Sequence, residues 1–322
     1  MVVNHLSAAI VSNIMQSKPL EYSEIDSNEA SYRRVWSLED RSAVRINTKC
    51  GAAQIIDTPD FGQAVFIDGE IQSTAADQLF YHQALCRPAL ATLNGKAKRV
   101  LVLGGGELCT LRQVLSWPDV EHVDMVDYDQ MFVEVCKRRL KSWHGDAHLD
   151  PRAHIHHEDA WAWTHRCRDQ YDSIIVDLTD LALGASDQEV LHWSNLMLNC
   201  LRLLRPYGSM TAYVGMYIPH RWETMHAAYL SFAEAMRHTG RPEVVQPYRV
   251  HVPSFGGGEA FFLQLGSSSI KDAIDGRTWR RPPFTEVAAD GWHFDEIAAK
   301  RSILWGDEVP FEWCMPRMAR PL

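Results

Sequence analysis

The chain has no long apolar run, no cysteine pair at metal-ligand spacing and no surplus of basic residues. Each absence excludes a class. No stretch approaches the length of a membrane span, and the first residues lack a basic region followed by a long apolar core, so neither a membrane protein nor a secretory leader is expected. Cys50, Cys86, Cys109, Cys136, Cys167, Cys200 and Cys314 are scattered, odd in number and free of any CxxC pair. That favours reduced thiols in a cytoplasmic protein over a disulfide framework or a zinc site. The formal charge of −9 argues against a nucleic-acid backbone as partner. No lysine follows Gly104-Gly105-Gly106, so a phosphate-cradling P-loop is not expected, and the spacing is not the GxGxxG of a dinucleotide site. Repeats and low-complexity segments are absent as well. What remains is 322 residues, 46% apolar and 23% charged, enough for one large or two modest soluble domains with ample core.

The informative stretch is Val100-Leu101-Val102-Leu103-Gly104-Gly105-Gly106-Glu107, an apolar run that breaks into glycines and a carboxylate before a helical pattern. A buried parallel strand ending in a glycine turn is where doubly wound folds bring backbone close to a nucleotide. The next apolar run ends in Asp127, about 20 residues on, the distance at which a second strand offers a carboxylate to ribose hydroxyls. An adenosine without phosphates fits this pattern better than a dinucleotide, which points to S-adenosyl chemistry.

Three sections are expected along the chain. Residues 1–95 hold an N-terminal amphipathic helix (Leu6, Ile10, Ile14), short alternating strands at Ser42–Asn47, Ala53–Asp57, Gln63–Asp68 and Ile71–Thr74, and a helix from Asp77 to Leu93. Residues 96–268 alternate strand and helix in the doubly wound manner, with strands at Arg99–Leu103, His122–Asp127, Ala153–His156, Ser173–Asp177 and Ser209–Val214. Helices are expected at Thr110–Ser116, Met131–Leu140, Ala160–His165, Glu189–Leu204 and Trp222–Thr239, and a closing hairpin at Arg249–Val252 and Ala260–Gly266. Residues 269–322 form an extension carrying Trp279, Trp292, Trp305 and Trp313. The fold class is α/β: a Rossmann-like S-adenosylmethionine-dependent transferase fold with a small N-terminal β-sheet domain. His154, His156 and His157 invite a metal reading, but on a strand the first two share one face and the third the other, so a structural role is expected and no metal.

The chain resembles the spermidine synthase family of aminopropyltransferases over roughly residues 40 to 268. The resemblance rests on Asp68-Gly69-Glu70-Ile71-Gln72-Ser73-Thr74, Tyr81-His82, Gly104-Gly105-Gly106-Glu107, the pair Asp127 and Asp129, Glu158-Asp159-Ala160, Asp177-Leu178-Thr179-Asp180, and Val252-Pro253-Ser254-Phe255 with Gly256-Gly257-Gly258. It implies S-adenosylmethionine or its decarboxylated form as co-substrate, held by Gly104, Gly105, Gly106, Glu107, Asp127, Asp129, Asp159 and Ala160. It implies Asp177 as the catalytic group, and Gln72, Tyr81, Asp180, Tyr213 and Phe255 on the acceptor side. It also implies a small-molecule amine or amino-acid acceptor and a homodimer. The chemistry suits these residue types. A sulfonium leaves as a neutral thioether, so the enzyme supplies orientation and a group to take the attacking amine's proton.

Departures from the family pattern gather on the acceptor side and around the transferred group. The family's Gly-Gly after its motif acid is Leu108-Cys109 here, expected to crowd the pocket beside the sulfonium. Leu181-Ala182-Leu183-Gly184 replaces its Pro-x-Gly-Pro segment, Tyr213 and Ile218 stand for a glutamine and a tryptophan, and Phe255 for a tyrosine. A further family tryptophan falls at Ala260 or Phe261, and for its early glutamine only Gln54 stands near, out of register. The expected activity is therefore transfer of an aminopropyl or 3-amino-3-carboxypropyl group to an amine other than putrescine. The alternatives are an N-methyltransferase on the same fold, internal cyclisation of S-adenosylmethionine, or a non-catalytic nucleoside-binding module, the last opposed by a carboxylate at position 177.

Overall fold

The computed structural model describes residues 21–24, 34–38, 43–178, 186–217, 244–256, 258–280 and 295–303, with single positions between 229 and 239. The expected N-terminal helix, Asp180 and its loop, Ile218, most of the expected helix 222–239, Trp292, Trp305 and Trp313 lie outside the described residues.

Two short strands, β1 (Glu21–Ser23) and β2 (Val35–Ser37), pair antiparallel. A four-stranded antiparallel sheet follows, β3 (Val44–Asn47), β4 (Ala52–Thr58), β5 (Gly62–Ile67) and β6 (Glu70–Thr74) in sequential order. Helix α1 (Gln78–Ala91) then leads into the larger sheet. Its elements are β7 (Arg99–Gly104), α2 (Cys109–Leu115), β8 (His122–Val126), α3 (Gln130–Arg139), α4 (Lys141–His144), β9 (Ala153–His156), α5 (Ala160–Arg166), β10 (Tyr171–Asp177), α6 (Asp187–Leu203), β11 (Leu204–Tyr217), β12 (Val244–His251) and β13 (Glu259–Gly266). Two short helices follow, α7 (Ile270–Asp275) and α8 (Glu296–Ser302).

The strand order is β12-β13-β11-β10-β7-β8-β9. β7 to β11 run parallel, whereas β13 lies antiparallel to both β11 and β12. From β7 the chain winds outward through β8 and β9, and returns across β7 to β10 and β11. The direction reverses between β7 and β10, so the crevice at their carboxyl ends is the ligand-binding position of such a sheet. Both faces of these strands are covered, and alternate residues feed different cores. Val100 and Val102 pack with α1 and the small sheet, while Leu101 and Leu103 pack with α6.

The expected elements among the described residues are present within a residue or two, with two exceptions: β12 begins at Val244 and not at Arg249, and β11 is longer at both ends, finishing at Tyr217 and not at Val214. β11 begins at Leu204 and not at Ser209, because Arg205, Pro206 and Tyr207 are exposed and carry no apolar pattern. Trp279 of the C-terminal extension is buried in the main core, and Arg280 N donates to Ala91 O (3.0 Å). No helix among the described residues is long and apolar enough to cross a membrane.

Candidate active site

A cavity of about 660 Å³ opens at the carboxyl ends of β7, β8 and β10 and is closed on the other side by the small sheet. Its floor is the glycine turn. Gly104 and Gly105 have φ of +80° and +78°, a region L-residues avoid. A Cβ at Gly104 would overlap the Asp177 carbonyl, and Gly105 N donates to that carbonyl at 3.1 Å. At Gly106 a Cβ would lie 2.7 Å from the Phe132 ring and 2.9 Å from the Asp127 carboxylate. The glycines thus let two strand ends and the α3 wall meet around the cavity.

Three buried or half-buried carboxylates converge there. Asp177, at the tip of β10, accepts from Tyr81 OH (2.8 Å) on Oδ1 and from Thr110 Oγ1 (2.5 Å) on Oδ2. Both oxygens are therefore aimed before any ligand arrives. Glu107 accepts from Ser73 Oγ of β6, while its Oε1 is buried without a partner among the described residues. Burial pushes the Glu107 pKa up to about 7, opposed by the Ser73 hydroxyl and reinforced by Asp177. Asp127 follows β8, accepts from Asp129 N (2.9 Å), and is held up to about 6, chiefly by burial. A cationic donor would reverse both shifts, since an opposite charge favours the ionised carboxyl.

The opposite end is aromatic. Tyr81 meets Tyr213 edge-on at 5.1 Å and Phe255 at 6.2 Å, and all three line the cavity. Glu24 also lines it, but its carboxylate accepts from Trp36 Nε1 (2.6 Å) and Ile71 N (3.3 Å) and pairs with Arg34 (2.7 Å). Asp77, just before α1, accepts from Ser254 N (2.6 Å) and fixes the loop that presents Phe255.

The spermine/spermidine synthase domain model matches residues 78–271. Polyamine aminopropyltransferase 2 of Pseudomonas aeruginosa is 34% identical over 70% of this chain and 61% of its own length, a little under two thirds. Polyamine aminopropyltransferase of a Synechococcus strain is 32% identical over 72% of this chain and 74% of its own. The chain belongs to the spermine/spermidine synthase family. Its fold is that of the solved spermidine synthase from Thermotoga maritima (TM-score 0.76, 19% identity, 92% of this chain and 94% of that one). A spermidine synthase solved with the transition-state analogue AdoDATO matches equally well (TM-score 0.76, 20% identity, 92% and 96%).

Against the family pattern, the structure brings Gly104, Gly105, Gly106, Glu107, Asp127, Asp159, Ala160, Asp177, Gln72, Tyr81, Tyr213 and Phe255 to the walls of one cavity. Asp129 does not line it. Its carboxylate caps α3 through Phe132 N (2.9 Å) and accepts from Cys50 N (2.6 Å), tying the small sheet to the larger one. Asp159 lines the cavity and also caps α5 through Ala162 N (2.8 Å). The expected crowding by Leu108 and Cys109 is not seen. Both side chains turn away into the cores, and Leu108 adopts φ of +68°, the left-handed region where the family's glycine would sit without strain. His156 and His122 each bond to Asp124 (2.8 Å) below the sheet's edge, while His154 stacks on His122.

Sequence reasoning missed Thr110, Asp77, Glu24 and Arg34, and it quoted Ser73 and His82 within family motifs without giving either a role at the site. The hydroxyls of Ser73 and Thr110 were the available signal, as was the imidazole of His82. Its Nδ1 donates to Gln78 O (2.7 Å), which turns a bare Nε2 towards Glu107, and burial lowers its pKa.

Proposed function

We propose that this protein transfers the three-carbon arm of decarboxylated S-adenosylmethionine to an amine other than putrescine, with methylthioadenosine as the other product. The observation that carries the reading is the Asp177 carboxylate, clamped by two hydroxyls at the end of β10 and opening into the same cavity as Glu107. In this scheme Asp127 receives the ribose hydroxyls and Asp159 with Ala160 the adenine. Glu107 holds the ammonium of the transferred arm, and burial of that ion pair makes it strong. Asp177 orients the attacking amine and takes its proton as the carbon–sulfur bond breaks, while Tyr81, Tyr213 and Phe255 hold the amine's carbon chain. The relatives named polyamine aminopropyltransferases support the reaction class. Support for an acceptor other than a simple diamine comes from Glu24. Its carboxylate is engaged by a guanidinium, an indole and an amide, which leaves little for a second ammonium at that end.

Mass spectrometry of the purified protein tests this, with decarboxylated and intact S-adenosylmethionine in turn, each with and without a panel of polyamines and amino acids. Methylthioadenosine formed from the decarboxylated donor only when an amine is present supports the reading. S-adenosylhomocysteine would overturn it in favour of methyl transfer. Methylthioadenosine from the intact donor alone would point to internal cyclisation.

A further inference from the structure

Away from the cavity, the sequence His144-Gly145-Asp146-Ala147-His148 runs on from the last residue of α4. One nitrogen of each imidazole and one Asp146 oxygen lie within 4.8 Å of one another. His144 is fully buried. Its Nε2 and the Nδ1 of His148 are buried with no hydrogen-bond partner among the described residues. A buried polar atom without a partner costs free energy, and an ion that accepts from two such rings is one remedy. The backbone makes the convergence. Gly145 and Asp146 are successive left-handed residues (φ +55° and +59°), which fold three alternate side chains onto one side of the turn.

We infer that His144, Asp146 and His148 form a binding site for a borderline divalent cation such as zinc or cobalt. Two imidazoles and one carboxylate suit such ions and not magnesium or calcium, which favour all-oxygen shells. The rings bind neutral, in the tautomer that frees the ligating nitrogen, so no net proton is lost. The charged neighbours are Lys141, whose ammonium lies 2.9 Å from Asp146 Oδ2, and Lys137 and Glu134 of α3. Lys141 is 70% exposed and can swing into water when the ion takes its place. The Asp146 amide now donates to His144 Nδ1 at 3.2 Å, and the tautomer that frees Nε2 for the cation protonates Nδ1 and gives up that long contact.

The site sits behind the wall of the donor pocket. Arg112 of α2 donates to Trp143 O, and Trp143 packs with Cys109 and Phe132. An ion here would stiffen the turn that backs the glycine loop. The inference stands whether or not the transferase reading does, since its readouts are optical and calorimetric.

Titration of the full chain with cobalt(II), and separately with zinc under calorimetry, tests it, with magnesium as the hard-cation control. The expected result is one equivalent of cobalt with visible ligand-field bands and no thiolate charge-transfer band. Zinc should bind with a chelator-reversible rise of several degrees in Tm, and magnesium should not. His148→Ala and Asp146→Asn, each checked for an unchanged circular-dichroism spectrum, should weaken binding about tenfold or more. Two results overturn it. One is binding unaltered in both variants, or no binding at all. The other is a thiolate band, which would assign the ion to His82, Glu107 and Cys109 instead.

Discussion

The two ends of the cavity are built by opposite means. The end proposed for the donor is made of backbone turns and carboxylates fixed to the tips of three neighbouring parallel strands, where register leaves little freedom. The end proposed for the acceptor is made of aromatic side chains from α1, β11 and the loop after β12, together with Glu24 and Arg34 beside the first strand pair. In the proposed reading the first cradles the nucleoside. The second is an assembly of distant segments whose members can change separately, and most of this chain's departures from its family fall there. A common donor with a variable acceptor, as proposed above, would account for this division.

The largest expected effect is at the junction of the two ends. Asp177→Asn keeps the shape, with Oδ1 still accepting from one hydroxyl and the amide donating to the other, but cannot take a proton. Turnover should fall about 10²- to 10⁴-fold, the usual worth of a positioned base, with donor affinity little changed. Single-turnover kinetics and calorimetry with the donor check this pair of values. A variant that loses donor binding to the same extent would move Asp177 to the donor end.

The second contrast is electrostatic. Glu107 and Asp127 are pushed up to about 7 and about 6 by burial, above their values in the unfolded chain. The fold therefore binds protons that the unfolded chain has released. Their contribution to stability is complete below about pH 4 and is lost as pH rises through about 6 and then 7, for Asp127 on the order of 3 kcal/mol. The ligand-free protein should melt at lower temperature at pH 8 than at pH 5.5, and donor analogues should narrow the gap. Asp127→Asn should stabilise the empty protein at pH 8 while weakening donor binding, the trade expected where a site is built against stability. Thermal melts across pH decide it, and a flat profile would show that the two acids are not desolvated.

Thr110→Val should have a smaller effect. It removes one hydroxyl from Asp177 in a fully buried, nearly isosteric change. A hydrogen bond to a charged group is worth about 1.5–3 kcal/mol, so kcat should fall about tenfold or somewhat more. The KM for the donor should hold while kcat falls. A merely structural role would weaken donor binding as well.

The same division explains what was legible in the sequence. The donor end is written locally: Val100–Glu107 and His122–Asp127 are continuous runs whose periodicity and terminal residues state both the strand and its ligand. Asp129 misled because a carboxylate two residues past a strand end also serves as a helix cap, and nothing in the spacing separates the two uses. Leu108 misled because its side-chain direction depends on a left-handed backbone that leucine does not announce. The acceptor end is written non-locally. Glu24 meets Ile71, and Asp77 meets Ser254, across separations that no window along the chain can see.

The smallest effect sharpens the comparison most. Phe255→Leu keeps an apolar side chain on the loop held by Asp77 but removes the ring that faces Tyr81 at 6.2 Å. An aromatic face beside an exposed cation contributes about 0.5–1 kcal/mol, so the KM for the amine should rise roughly two- to fivefold. The KM for the donor should not move, because its walls are strand ends that the loop does not touch. Competition between two amines of unequal length should shift as well, as the lost ring changes how far a chain can reach. If the donor KM rises in step with the amine KM, the loop after β12 acts on the whole cavity, and the two ends are one mechanical unit.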